Sequence, residues 1–529
     1  MNRKVGYIVG EVETGSFGFV SDEDNYPLKH EYLVIPGVRE RIRGEIRRVD
    51  VLAQVTNLWN LSDVLRQELS LRELETILQR YKATVKVFGK AKVLGYLDEE
   101  DQVVMPRSAA IPGQEVYVAP SQLLERFFTN VSRLSIPIGG LLTREEVPVR
   151  LDPNGFRRHV AVIAQTGAGK SYLVGLMLEN LLPLGATIIV MDPNSDYVMM
   201  KKKADGGETP FAEDVTIYRP PGIKGRRFSD EDIGGAEGYT IEFSALTPDE
   251  IFEIAGVSPR WVHIRAVILE ALQGLSGLYG PQQLLERLKW MEVNEEDRGR
   301  REAAARAQSY IQRLTRYQVW GSANIPLEEL LRPRHLSVID LAGLQSHVSQ
   351  YIVQKTVSDI WARAITGSLR HPVFLVLEEA HNFAPAEGVA SACSSIIEKV
   401  ASEGRKFGVF LLVVTQRPFK INSNVLSQCN SQIIMRLTNP EDMSAVRRSS
   451  EAMSEDLFRD LPGLNRGEAI VVGGLTKVPV MVKVGGRVSA EGGSDIDLEA
   501  ALTRALEEAE RRKALQPQED EDEEFKARW

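Results

Sequence analysis

The segment AVIAQTGAGKS, residues 161–171, carries a short apolar run into a loop of small residues and then into a helix-forming stretch, SYLVGLMLENLL. A loop of that composition lets backbone N–H groups turn inward on an anion. The lysine reaches the β- and γ-phosphates, the hydroxyl faces a divalent cation, and the helix N-terminus points at the charge. Ala164, Gln165, Thr166, Gly167, Ala168, Gly169, Lys170 and Ser171 are therefore a candidate triphosphate cradle, with Ser171 on the Mg2+ side. Ala164 stands where such loops commonly open with glycine. The strand leaves the sheet there, a place that asks for a small side chain more than for a positive φ, so alanine serves.

A strand–loop–helix unit of this kind commits its surroundings to an α/β sheet. The text after residue 145 agrees, since ATIIVMDPN, LSVIDL, VFLVLEE, VFLLVV and SQIIMRL are continuous apolar runs with helices between most of them. Strands covered on both faces read that way. The alternation is interrupted at about 225–330 by VHIRAVILEALQGL, PQQLLERLKWMEV and RREAAARAQSYIQRLTRY, which are amphipathic or strongly helix-forming. The first 140 residues differ, with short β-branched segments punctuated by Gly and Pro, the pattern of a small β-barrel. Within them SDVLRQELSLRELETILQRYK (62–82) has helical spacing. GEAIVVGGLTKVPVMVKV reads as a hairpin around Gly473, Gly474 and Lys477. The expected division is a barrel over 1–140, an ATPase domain over 141–490, and a helix with an acidic tail over 491–529.

Composition limits what the chain can be. With 529 residues, a net charge of −9 and 64 Lys and Arg against 73 Asp and Glu, it is no globally basic nucleic-acid binder; basic groups would have to gather along one channel. The longest apolar runs are strand-length, so no membrane span is expected, and the N-terminus lacks the apolar stretch of a secretory signal. Two cysteines, Cys393 and Cys429, give neither a disulfide framework nor zinc spacing, which points to the cytoplasm.

Hydrolysis of a bound triphosphate needs acids beside the cradle. Glu378 and Glu379 end the strand VFLVL, where ligands meet open α/β sheets. Glu379 is assigned to activating water and Glu378 to the magnesium side, directly or through water. Gln416, ending VFLLVVT, could sense the γ-phosphate. Arg405, in EGRKFG, could neutralise transition-state charge in its own subunit or a neighbour's, or be an ordinary exposed arginine. Asp192 in MDPNSDY could be a supporting group or a helix cap.

Together AVIAQTGAGKS, IIVMDPNSDY, FLVLEEAHNFAP, ASEGRKFGVFLLVVTQRP and VLSQCNSQIIMRL resemble the HerA branch of the HerA/FtsK ATPases. The β-rich start, with IPGQEVYVAP near its end, is similar to the barrel that precedes HerA motors. The resemblance implies a RecA-like P-loop core with a helical insertion. It also implies a homohexameric, ATP- and Mg2+-dependent translocase or helicase on double-stranded DNA, working with a NurA-type nuclease in processing DNA ends for repair. It makes Lys170 and Ser171 phosphate and Mg2+ ligands, Glu379 the catalytic carboxylate, Gln416 the sensor and Arg405 an arginine finger across a subunit interface. Arg158 falls where the family carries another arginine near the nucleotide, and Asp192 matches its acidic residue. Lys420, Arg447, Arg448 and the basic residues of the insertion are candidates for contacts to DNA phosphates. The competing expectations are a related motor that transfers DNA or protein through a membrane pore, and a non-motor nucleotide-dependent scaffold for a nuclease.

Overall fold

The computed structural model describes residues 3–62, 70–80, 86–129, 134–223, 226–389, 391, 393–493 and 498–515. Its first strands are β1 (Lys4–Val12), β2 (Ser16–Asp22), β3 (Tyr32–Ile42), β4 (Glu45–Leu61), β5 (Lys86–Leu97), β6 (Val103–Val104) and β7 (Glu115–Val118). They run in the order β2-β1-β7-β3-β4-β5, and β5 pairs back onto β2, closing a six-strand barrel with β6 at its margin. Alternating residues point inward, so Phe17, Phe19, Val51, Ala53, Val55, Ala91 and Val93 fill the interior. Gly89 is needed for closure, because a Cβ there would lie 2.1 Å from the Phe19 ring. The helical spacing in 62–82 appears as a helix at Leu71–Arg80; residues 63–69 and 81–85 lie outside the described residues, as does the acidic run 519–524.

The second sheet is built from β8 (Ile136–Leu141), β9 (Arg144–Leu151), β10 (Val160–Ile163), β11 (Thr187–Asp192), β12 (Val215–Arg219), β13 (Glu237–Gly238), β14 (His335–Asp340), β15 (Val373–Leu377), β16 (Val409–Thr415), β17 (Ser431–Met435), β18 (Glu468–Val472) and β19 (Val480–Val484). Its order is β13-β12-β14-β11-β15-β16-β10-β17-β18-β19-β8-β9. From β13 to β17 every pairing is parallel; the last four strands are antiparallel. Residues 136–140, read with the barrel from sequence, thus belong to β8, the strand that pairs with β19 in this larger sheet. The parallel strands read as unbroken apolar runs because both faces are covered. Ile188 and Val190 pack into one core, while Ile189 and Met191, between and beyond them, pack into the other.

One of those cores extends into the barrel. Tyr32 and Phe128 meet edge-on at 5.1 Å and Phe127 and Phe128 at 5.4 Å, joining β3 and the helix Ser121–Phe128 to the sheet's core. The other core receives the helical insertion, whose helices Pro248–Ala255, Val262–Gln273, Pro281–Asn294 and Arg298–Leu314 bury Ile251, Ile268, Leu288 and Ile311. Thr247 and Glu250 form a reciprocal cap that starts the first of them. Among the described residues no helix is long and apolar enough to cross a membrane.

His159 locks the entrance to β10. It adopts φ +56°, is buried, and its Nδ1 accepts a hydrogen bond from the Leu411 amide at 2.9 Å. Burial pushes the imidazole down to about 4. The unfolded chain therefore takes up this proton first as pH falls, and the stability due to the neutral ring is lost between about pH 6.5 and 4, a total of about 3 kcal/mol. Denaturant melts at pH 7 and pH 5 should show this slope. A His159→Asn variant, which tolerates the left-handed backbone, should show less of it; an unchanged slope would count against the assignment.

Candidate nucleotide site

The loop after β10 is held from three sides. Ala164 N–H donates to the Thr415 carbonyl at 3.3 Å, Gln165 N–H to that of Arg436 at 3.0 Å, and Gly467 N–H to that of Ala168 at 3.1 Å. Gly167 and Gly169 take φ +78° and +102°, and Gly169 caps the helix Lys170–Leu181. Only glycine adopts those angles without strain. Ala164 is fully buried and keeps an ordinary φ, as a small strand-end residue should. The loop curls around a cavity of about 220 Å³.

Parallel strands deliver the other groups to the same edge of the sheet. Glu379 follows β15 and Gln416 follows β16, the strand lying between β15 and the phosphate-loop strand β10. Lys170 Nζ bonds both Glu378 and Glu379, the latter at 2.8 Å. Burial pulls the Lys170 ammonium down, but the two carboxylates outweigh it and hold it above its ordinary value. Glu378 is fully buried; burial pushes its carboxyl up, against the opposing effect of Lys170. Its second oxygen accepts from the Tyr197 hydroxyl at 2.5 Å. Gln416 Oε1 accepts from Thr166 Oγ1 at 2.5 Å, tying the strand end to the cradle.

Asp196 supplies an acid that the sequence reading did not assign. Its carboxylate accepts from Ser171 Oγ at 2.9 Å and lines the cavity; burial pushes it up, opposed by Ser171 and Lys170. Asp192 does not line the cavity. Fully buried, it accepts from the backbone N–H groups of Asn194, Asp196 and Tyr197 at 2.8–3.2 Å and so shapes the loop that presents Asp196. The signal for Asp196 was a second acid four residues after Asp192 in DPNSD. Arg466 and Glu491 also reach the cavity, from the turn before β18 and from the segment after β19. No local pattern marks either one. That last segment is strapped beneath the phosphate-loop helix, with Arg487 donating to the Ser171 carbonyl at 3.2 Å and Ser489 N–H to Glu179 at 2.6 Å.

Arg158 and Arg405 are elsewhere. Arg158 precedes β10 and Arg405 lies in the last turn of the helix Ser394–Phe407, which precedes β16. Both therefore sit at the sheet edge opposite the cradle, where with Arg157 and Lys406 they line a separate cavity of about 760 Å³. Of the residues proposed for DNA, Lys420 is exposed just beyond Gln416. Arg447 is paired with Glu455 at 2.5 Å and stacked on Phe458, and Ser449 and Glu451 just past Arg448 line the arginine cavity.

The comparisons with known proteins follow this architecture. Residues 136–360 match the family model of the central domain of helicase HerA, and residues 5–99 match that of the HAS barrel domain. A probable helicase of Methanocaldococcus jannaschii is 29% identical, covering 94% of this chain and 93% of its own length. The DNA double-strand break repair helicase HerA of Pyrococcus furiosus is 29% identical with 92% of each chain covered.

Over most of its length the chain is similar to helicases of the HerA family.

Among solved structures this chain is similar to VirB4 of Thermoanaerobacter pseudethanolicus, at 16% identity and a TM-score of 0.46, covering 67% of this chain and 97% of the other. The cavity suits a magnesium triphosphate by the chemistry of its donors. Inward backbone, an ammonium and a hydroxyl face three carboxylates, of which Glu379 keeps one oxygen without a hydrogen-bond donor.

Proposed function

We propose that this chain is an ATP-driven translocase or helicase on double-stranded DNA, working as a homohexameric ring with a NurA-type nuclease in DNA end processing. The observation that carries this reading is the Lys170–Glu378–Glu379 cluster at the phosphate-loop cavity, at the opposite ends of the parallel strands from the arginines. Lys170 and the backbone of Thr166, Gly167 and Gly169 would hold the phosphates. Ser171, with Glu378 and Asp196 behind it, would hold magnesium, whose charge offsets that developing on the transferred phosphoryl. Glu379 orients the attacking water and takes its proton. Gln416, bonded to Thr166, is placed to register the terminal phosphate.

Arg158 and Arg405 cannot reach their own cradle from the far edge. In a ring that edge faces the neighbour's cradle, so each hydrolytic site would be completed by an adjacent subunit. Relatives named DNA double-strand break repair helicase support the load being DNA. The barrel, similar to that of HerA relatives, is the natural seat of the nuclease. Contacts to phosphates through groups such as Lys420 would make binding independent of sequence and steeply salt-dependent.

Mixing subunits tests the arrangement. Lys170→Ala and Arg405→Ala should each abolish DNA-stimulated phosphate release. Equimolar mixed rings should regain about a quarter of wild-type activity, since one interface in four pairs an intact cradle with an intact arginine. No recovery in mixed rings would place the two functions in one subunit. Stable hexamers that hydrolyse ATP but do not travel along DNA would favour the scaffold instead.

A further inference from the structure

Glu379 is held in an unusual state. Its backbone sits at φ +49°, ψ +49°, a left-handed conformation that strains a glutamate. Lys170 holds Oε1, but buried Oε2 receives no hydrogen bond. His381 Nδ1 lies 3.2 Å from Oε2, and the same Nδ1 lies 3.3 Å from Thr415 Oγ1. Thr415 is fully buried at the end of β16, accepts from Arg417 N–H at 3.0 Å, and directly precedes Gln416. One imidazole nitrogen thus stands between the carboxylate at the end of β15 and the sensor end of β16.

The two segments are also joined downstream. Ala386 N–H donates to the Lys420 carbonyl at 2.7 Å and Asn422 N–H to that of Ala384 at 2.9 Å. A neutral imidazole has one donor and one acceptor nitrogen. If the Thr415 hydroxyl donates to Nδ1, that nitrogen's one lone pair is engaged, it has no proton to give, and Oε2 is left unsatisfied. If Nδ1 carries the proton, it donates to Oε2 and fixes the carboxylate. We propose that His381 is a positioning residue that exchanges its Nδ1 contact between Thr415 and Glu379, and so sets the catalytic carboxylate according to the state of the Thr415–Gln416 strand end. This rests on the reading of the cavity as an ATP-hydrolysing site. Once phosphate oxygens compete for Lys170, His381 is the group left beside Glu379 to aim it.

The test uses the full-length protein and its His381→Ala, His381→Asn and Thr415→Val variants. Phosphate release, affinity for a non-hydrolysable ATP analogue and melting temperature without nucleotide are measured for each. His381→Ala should lower kcat about 100-fold through misplacement of the carboxylate, with analogue affinity and melting temperature close to wild type. Asparagine, whose side-chain amide can stand in for Nδ1, should recover at least about tenfold of that loss. Thr415→Val should also lower kcat, and the His381→Ala/Thr415→Val double variant should be no slower than His381→Ala alone. Wild-type kcat in His381→Ala overturns the proposal. So do strictly additive effects, or a loss of analogue affinity that matches the loss of kcat and is not relieved by asparagine. A wild-type protein that releases no phosphate would instead sink the reading on which the proposal rests.

Discussion

Replacing Glu379 by glutamine should lower phosphate release by about two to four orders of magnitude while nucleotide binding persists. Glutamine keeps the length and planarity of the side chain, so it can still meet Lys170 and sit beside His381. It loses the basicity needed to take a proton from water. Lys170 retains Glu378 as a buried partner, so the cavity should not collapse and the melting temperature should change little. Phosphate release and analogue binding, measured on one preparation, separate the two effects. Wild-type turnover in this variant would remove Glu379 from the chemistry and return the role to Glu378 or Asp196.

Replacing Lys170 by alanine should do more than abolish nucleotide binding: it should destabilise the nucleotide-free protein by about 3–5 kcal/mol at neutral pH, because buried carboxylates lose their cation. Glu378 is fully buried and Asp196 lies near enough to raise it further. With Lys170 gone, the Glu378 carboxyl, already pushed up by burial, rises more. A group with a raised folded pKa favours the folded state at acid pH, and this contribution is lost as pH rises through the folded value. The penalty in the variant should therefore be smallest in acid and grow toward neutrality. Adding Glu378→Gln should restore much of the lost stability, since a neutral amide needs no counter-charge. Melts of wild type and both variants across pH decide the matter; equal stability of wild type and Lys170→Ala at neutral pH would mean that the cluster is not an electrostatic unit.

Much of the site was legible because its signals are local. The cradle is a run of contiguous residues whose φ angles demand glycine at 167 and 169, and Glu378, Glu379 and Gln416 follow apolar runs that had to be strands. Asp192 shows where such reading stops. An acid at a strand end looks the same whether its carboxylate faces a cavity or, as here, turns back onto the amides of Asn194, Asp196 and Tyr197. Asp196, four residues on, is the acid that the loop delivers to Ser171.

By itself, then, the amino-acid sequence determined the succession of barrel, phosphate loop, covered strands and helical insertion, because glycine conformations and hydrophobic periodicity act over a few residues. Only the tertiary structure decided that Arg466 and Glu491 close the cavity and that the hairpin Ile136–Leu141 and Arg144–Leu151 extends the large sheet. It alone put Arg158 and Arg405 across the sheet from Lys170. Those facts depend on which distant strands pair and in which direction they run. The free energy that selects such pairings is spread over two shared cores rather than written in any one segment.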